Sequence, residues 1–402
     1  MKRFIFKHPR FVLTTGFLLV VLAASGIAYA QVQRPVPKPT LVETAALNWQ
    51  PAPSTEITWP AAGQAGVSVE GAGIIGESPH QEAQPIASLV KVMTAYIILK
   101  HHPLNTGEPG PEIQFQQQDV DDYLARRANS ESVVAVAAGG TMKERDLLRG
   151  LLLASGNNLA DVLAKWDAGS VDAFVAQMNS EAASLGMTKT KYADAAGLMP
   201  ESVSTAHDQI LLAHAAMADE AFASIVREQQ AALPGAGVVY NTNSTLGSGG
   251  IVGIKTGWTE YAGACFLFAA EQQLDDRTVT VIGAVLGQNT LSDAYDRSRE
   301  LILIAGANVS QSKLGSAGDV VGQVKSRWGE TSNVVLGSDA NILVLPGMQV
   351  DSTLVLNTED IKSGEQIGVA RFSGGNQVIE VPIKAESTIN SPSISWRLER
   401  IR

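Results

Sequence analysis

The chain has 402 residues, 45% of them hydrophobic, with 30 Lys and Arg against 40 Asp and Glu and a net charge of −10. At roughly 150 residues per domain that is room for two or three domains, with enough apolar content to bury a sizeable core. The sign of the charge excludes a protein that tracks nucleic-acid phosphates, and the lone Cys265 excludes an intramolecular disulfide and any multi-thiolate metal centre.

In chain order, Lys2, Arg3, Lys7 and Arg10 precede an uncharged apolar run, Phe11 to Ala28, that ends in Ala28-Tyr29-Ala30. A basic start, an apolar centre and a small-x-small end read as an export signal cut before Gln31. The run also nears the length of a bilayer span, so an uncleaved signal anchor over residues 1–30 is the alternative. Either way the remainder is exported, as a secreted or an N-terminally anchored protein of the cell envelope. Residues 31–55 hold Pro35, Pro37, Pro39, Pro51 and Pro53, too many for a helix or a central strand, and read as a linker or stalk.

Residues 56–308 mix β-type segments (66–75, 251–255, 264–270, 278–286) with long helical ones, which predicts an α/β layer architecture. Thr141 to Glu144 has the spacing of a capping box ahead of a helix over 146–154. Ser170 to Leu185 reads as a helix stopped at Gly186. Residues 309–390 change to short Val/Ile/Leu-rich strands between turn signals, a separate small all-β domain. The tail, 391–402, carries Trp396, Leu398 and Ile401 with three arginines. It is too short for firm interfacial binding and reads as disordered or strand-like.

Three short motifs carry chemistry: Ser88-Leu89-Val90-Lys91, Ser155-Gly156-Asn157 and Lys255-Thr256-Gly257. The first is weak alone, because Ser310-Gln311-Ser312-Lys313 has the same spacing. Context separates them, since Ser88 opens the apolar run Leu89 to Leu99, a buried helix on which positions i and i+3 share a face. A serine hydroxyl becomes a nucleophile when an adjacent base takes its proton, and a lysine serves once desolvation or a neighbouring cation depresses its pKa. The plain reading of Ser155 and Asn157 is a cap for the helix that follows. That of Lys255 is an edge-strand lysine before a turn. All three in this order, on a helix start, a helix–helix turn and a strand, are much rarer than any one match.

These blocks, with Arg145 to Asn158, Met178-Asn179 through Leu185-Gly186-Met187, and Lys255 to Gly263, resemble the D-alanyl-D-alanine carboxypeptidases, the low-molecular-mass penicillin-binding proteins of serine peptidase family S11. Ile361 to Gly368 and Val378 to Ala385 are similar to that group's C-terminal β-domain. The resemblance implies a transpeptidase-like catalytic domain, an antiparallel sheet flanked by helices with a helical subdomain. It implies that Ser88 attacks the carbonyl between the two terminal D-alanines of a peptidoglycan stem peptide, with Lys91 as base and Ser155 relaying a proton to the leaving D-alanine. Asn157 would hold the substrate amide, and Lys255 and Thr256, before Gly257, the substrate carboxylate. The amides of Ser88 and Trp258 would form the oxyanion hole. β-Lactams would acylate Ser88, and no cofactor or metal is called for. Relatives often carry a basic residue between the asparagines corresponding to Asn241 and Asn243, and another near Gln288-Asn289-Thr290; this chain has neither.

Other readings make distinct demands. A class A β-lactamase needs a glutamate to activate water, for which Glu181 and Glu201 are the candidates. A non-catalytic wall-binding or β-lactam-sensing protein would be expected to lack the nucleophile or base, and both stand here. A Ser–His–Asp hydrolase would have to draw on His207 or His214. His207 reads as a helix-start residue beside Ser204-Thr205. Cys265 reads as a small buried hydrophobe.

Overall fold

The computed structural model describes residues 9–43 and 50–400. Lys2, Arg3 and Lys7 of the expected signal, residues 44–49 of the expected linker, and Ile401 and Arg402 of the tail lie outside the described residues. The helices are α1 (Pro9–Val32), α2 (Val90–His101), α3 (Gln117–Ala128), α4 (Glu144–Leu152), α5 (Asn157–Ala168), α6 (Val171–Ser184), α7 (Ala206–Met217), α8 (Glu220–Val226), α9 (Leu291–Ala307) and α10 (Ile394–Glu399).

A five-stranded antiparallel sheet runs in the order Ile251–Thr259, Gly263–Leu274, Arg277–Gln288, Gln64–Val69, Gly73–Glu77. Successive side chains on a strand face opposite ways, and Gly263–Leu274 uses both faces. Phe266 and Phe268 pack with Tyr295, Leu301 and Ile302 of α9. Cys265, Leu267 and Ala269 pack with Ile210 of α7 and the apolar side chains of α2. The segment 66–75 is therefore a hairpin inside an α+β sandwich rather than one strand. Helices α3 to α6 form the helical subdomain, with α5 packing on α2 and α6.

Helix punctuation follows the sequence at α6, where Ser170 Oγ accepts from Ala173 N–H at 3.1 Å, and at α7, where Thr205 Oγ1 accepts from Asp208 N–H at 3.1 Å. It departs at Thr141 to Glu144. Those residues do not form a capping box: Thr141–Lys143 is a short strand paired with Glu112–Gln114, and Lys143 begins α4 without a side-chain cap.

Beyond α9 the chain is all β up to Ala385. A six-stranded sheet holds Val320–Lys325, Thr331–Leu336, Gln377–Ala385, Gln366–Gly374 and Asp351–Leu356, and its far edge is Thr40–Glu43. The stretch read as a stalk thus supplies an edge strand, pairing Thr40 with Lys325 and Glu43 with Gly322. The strand falls in a proline-free stretch, so the prolines exclude a central position without excluding this one. The tail is neither disordered nor strand-like as far as Arg400: α10 is a short helix whose N-cap, Ser393, accepts from Trp396 N–H at 3.2 Å.

Glu144, the first residue of α4, is fully buried, and neither carboxylate oxygen has a hydrogen-bond partner among the described residues. Burial, with the charge of Glu108 adding to it, pushes its pKa up from 4.5 to about 7. The folded state therefore keeps a proton that the unfolded chain releases, so stability falls as pH rises through this range. Glu144→Gln is expected to raise stability at pH 8 by about 1–3 kcal/mol, with the gain gone near pH 4. Urea unfolding at the two pH values measures it, and an equal effect at both would refute the assignment.

Candidate active site

Pro85 and Ile86 lead into a single 3-10 turn, Ala87–Leu89, that continues into α2. Ala87 is held at φ 48°, a conformation that costs about 1 kcal/mol or more and persists only where the surroundings enforce it. The enforcing contact is Gly197: a Cβ on it would lie 1.9 Å from Ala87 O, and its φ is +84°. Ser88 thereby sits at the mouth of the turn, one helical turn from Lys91.

Lys91 is fully buried; its Nζ lies 2.9 Å from Ser88 Oγ and donates to Ala196 O at 2.6 Å. Burial holds its pKa well below the ordinary lysine value, and the charge of Lys255 lowers it further. The loop carrying Ala196 is pinned by Asp194, whose carboxylate accepts from Gly197 N–H at 2.8 Å, Leu198 N–H at 2.7 Å and Ser202 Oγ at 2.6 Å. Thr94 of α2 donates to Ala195 O at 2.8 Å. Sequence reasoning missed this loop; an Asp three residues before a Gly in an alanine-rich stretch is its only local trace.

Ser155 lies between α4 and α5 with φ 59°. It is not a helix cap: Gly156 holds the N-cap position of α5 without any side-chain bond. Asn157 Nδ2 donates to Glu131 at 3.1 Å, while its buried Oδ1 has no partner among the described residues. Asn158 fixes the neighbouring segment through Val134, accepting from its N–H at 3.0 Å and donating to its carbonyl at 2.9 Å. Arg126 of α3, also missed, reaches Asp122 at 2.9 Å, Glu131 at 3.0 Å and Asp161 at 2.5 Å.

The third motif lies on the sheet's edge strand. Its close approach to the nucleophile is set by Gly257, where a Cβ would lie 2.8 Å from Ser88 N. Lys255 is buried, and desolvation alone lowers its pKa to about 7; its Nζ donates to Thr256 O at 3.2 Å. Thr256 Oγ1 is 3.0 Å from Thr242 Oγ1, and Thr242 N–H donates to Leu153 O at 3.0 Å, linking this strand to the segment before Ser155. The side chain of Trp258 is 56% exposed.

The structure therefore brings Ser88, Lys91 and Gly257 into direct contact, and places Lys255 near enough for its charge to act on Lys91. Thr256 is bonded to Thr242, and Asn157 to Glu131, which pairs with Arg126. No hydrogen bond joins Ser155 to Ser88, Lys91 or Lys255 among the described residues. The second S-x-x-K, Ser310 to Lys313, is on a strand, where positions i and i+3 face opposite sides, and Lys313 pairs with Asp339 at 2.7 Å.

The competing groups, apart from Glu201, which lies exposed after the 194–198 loop, are engaged elsewhere. Glu181 pairs with Lys100 at 2.7 Å. His207 is the second residue of α7 and pairs with Glu77. His214 Nε2 lies 2.8 Å from Ser68 Oγ, but Ser68 is fully buried within the sheet, closed to substrate. Cys265 is buried, its thiol pushed up to about 12 by desolvation, so it packs as a hydrophobe.

Residues 62–290 match the Peptidase S11 family model, described as D-alanyl-D-alanine carboxypeptidase. The chain belongs to this family of serine peptidases. It is 37% identical over 195 residues to the D-alanyl-D-alanine carboxypeptidase DacB2 of Mycobacterium tuberculosis, covering 47% of this chain and 62% of that one. Against DacD of Escherichia coli the identity is 25% over 336 residues, 79% of this chain and 84% of that one. Penicillin binding protein 5 from Haemophilus influenzae superposes with a TM-score of 0.61 at 21% identity, over 84% of this chain and all of that one, a likeness of fold.

Adding the Cβ that Gly257 lacks drives the edge strand away from the Ser88 amide. Gly257→Ala is expected to slow acylation by a fluorescent penicillin by about tenfold or more, with unchanged circular dichroism. A rate within twofold of the parent would show that the close approach is not needed.

Proposed function

We propose that the protein is an exported enzyme that removes the terminal D-alanine from peptidoglycan stem pentapeptides through an acyl-enzyme on Ser88. The observation that carries this is the 2.9 Å contact between Ser88 Oγ and the buried amine of Lys91. An amine held below its usual pKa has a lone pair to take the hydroxyl proton as oxygen attacks the carbonyl carbon. The tetrahedral oxyanion is received by the amides of Ser88 and Trp258, donors whose loss typically costs a few kcal/mol of transition-state stabilisation each.

Ser155 passes a proton to the departing D-alanine nitrogen, Asn157 holds the substrate amide, and Lys255 with Thr256 holds the terminal carboxylate. Water then releases the shortened peptide. β-Lactams acylate the same hydroxyl. Thr242, where relatives often carry a basic residue, offers a hydroxyl instead, and Gln288 Nε2 is turned to Ala62 O at 2.8 Å. Lys255 thus supplies the carboxylate's cation here.

Ser88→Ala is expected to abolish both penicillin labelling and D-alanine release from a D-Ala-D-Ala-terminated peptide, as read by mass spectrometry. Release surviving in that variant would remove Ser88 from the reaction.

The two lysines set opposite pH limbs. Activity rises with pH as Lys91 loses its proton and falls as Lys255, near 7 in the free enzyme, loses its own. Bound carboxylate favours the charged form of Lys255, so the falling limb lies higher in kcat than in kcat/KM. Lys255→Arg, whose guanidinium stays charged, is expected to remove the falling limb. Its persistence would assign that limb to another group.

A further inference from the structure

We propose that α1 stays on the mature protein as a membrane-spanning anchor, and that the C-terminal segment locks its outer end to the β-domain, mounting the enzyme rigidly on the bilayer. Residues Leu13–Val32 of α1 are long and apolar enough to cross a membrane. At about 1.5 Å per residue such a helix spans roughly the 30 Å hydrocarbon layer. The four basic residues ahead of it, Lys2, Arg3, Lys7 and Arg10, place its start on the cytoplasmic side.

The far end of a helix leaves its last carbonyls without intrahelical donors and carries partial negative charge. Here the C-terminal segment meets both needs. Arg397 Nη1 donates to Val32 O at 2.9 Å; Arg400 donates to Gln31 O at 3.2 Å, Arg34 O at 2.7 Å and Pro35 O at 3.0 Å. The Arg400 guanidinium lies 5.4 Å from the Trp396 ring, and Trp396 packs edge-on against Trp328 of the β-domain at 5.7 Å. Trp328 Nε1 donates to Asn390 O at 2.9 Å. Paired indoles and arginines at the end of an apolar helix suit the membrane–water interface.

Downstream, the chain stays on the β-domain. Lys38 pairs with Glu359, Thr40–Glu43 joins the sheet edge, and Ala52 is buried in the β-domain core. Thr55 N–H donates to Asn308 Oδ1 at 2.7 Å, and Asn308 Nδ2 donates back to Thr55 O at 3.1 Å. The described parts of the proline-rich stretch are thus held against folded structure.

If the chain were cut before Gln31, the folded structure would lose the helix that presents Gln31 O and Val32 O to the arginines. The Ala30–Gln31 bond lies inside α1, and Gln31 is 4% exposed. A cut there would place a new α-ammonium beside two guanidinium groups that now cap carbonyls.

The test uses the full chain in membranes of producing cells. N-terminal peptide mapping of the mature protein is expected to find α1 present; a start at Gln31 overturns the proposal. In Arg397→Ala/Arg400→Ala, proteinase K is expected to cut within residues 33–43 at least tenfold faster than in the parent. The released domain should still label with fluorescent penicillin at the parent's rate. Equal cutting rates overturn the lock. Should the double variant lose labelling, a chain ending at Pro392 gives the same readout, with faster cutting supporting the lock and parental cutting overturning it.

Discussion

A lysine buried beside a hydroxyl, with no carboxylate to pair with, is the constraint on which the rest of this site depends. Placing an ammonium in such a position costs several kcal/mol unless a counter-charge compensates. Carboxylates are near, yet each has another partner. Asp194 accepts two loop amides and Ser202, and Arg126 takes Asp161 and Glu131. Lys91 is left with a hydroxyl and a carbonyl, and Lys255 adds a like charge. Burial and the charges of Lys255 and Arg126 favour the neutral amine, the form able to take a proton, and outweigh the opposing pull of Asp194 and Asp161. Arg126, remote from the nucleophile in sequence, contributes by what it keeps away from Lys91 as much as by steadying Asn157 through Glu131.

Holding that lysine dry requires a rigid surround. Helix α2 is apolar on nearly every side, with Val90, Val92, Met93, Ala95, Ile97 and Ile98 all buried, as befits a helix covered by neighbours all round. Helices α4, α5, α6, α7 and α8 pack around it, and the sheet packs on the 3-10 turn that leads into it. Backbone must then approach closely from two directions, and glycine stands at both points, Gly197 against Ala87 and Gly257 against Ser88. The site is therefore set by packed elements, which keep reacting groups within the narrow tolerance that catalysis demands.

What could be read from the chain were the local relations. The i, i+3 spacing of Ser88 and Lys91, the apolar strand carrying Lys255, and the caps of α6 and α7 depend on neighbours in sequence, and the structure keeps them. The misses share one cause: partners far along the chain. Thr141 to Glu144 has the letters of a capping box, but pairing with Glu112–Gln114 captures the threonine's backbone first. Thr40–Glu43 becomes a strand because residues nearly 300 positions later offer an open edge. The 194–198 loop and Arg126 carry no motif, since their roles exist only once α2, α3 and α5 are packed. The decoy at Ser310 shows the converse, a correct spacing made meaningless by strand geometry.

The departures from the family pattern gain their meaning from the same electrostatics. A guanidinium stays charged over the whole working range, so an arginine beside the proposed carboxylate site would be a pH-independent anchor. This chain puts Thr242 there, bonded to Thr256, and leaves the charge to a buried lysine whose proton is held only weakly. In the proposed reaction, substrate carboxylate and Lys255 would stabilise each other's charged forms, which would couple substrate binding to protonation. The same lysine, when charged, keeps Lys91 neutral. On that proposal one buried amine would both hold the substrate's charge and depress the base, and the two roles would fade together as pH rises.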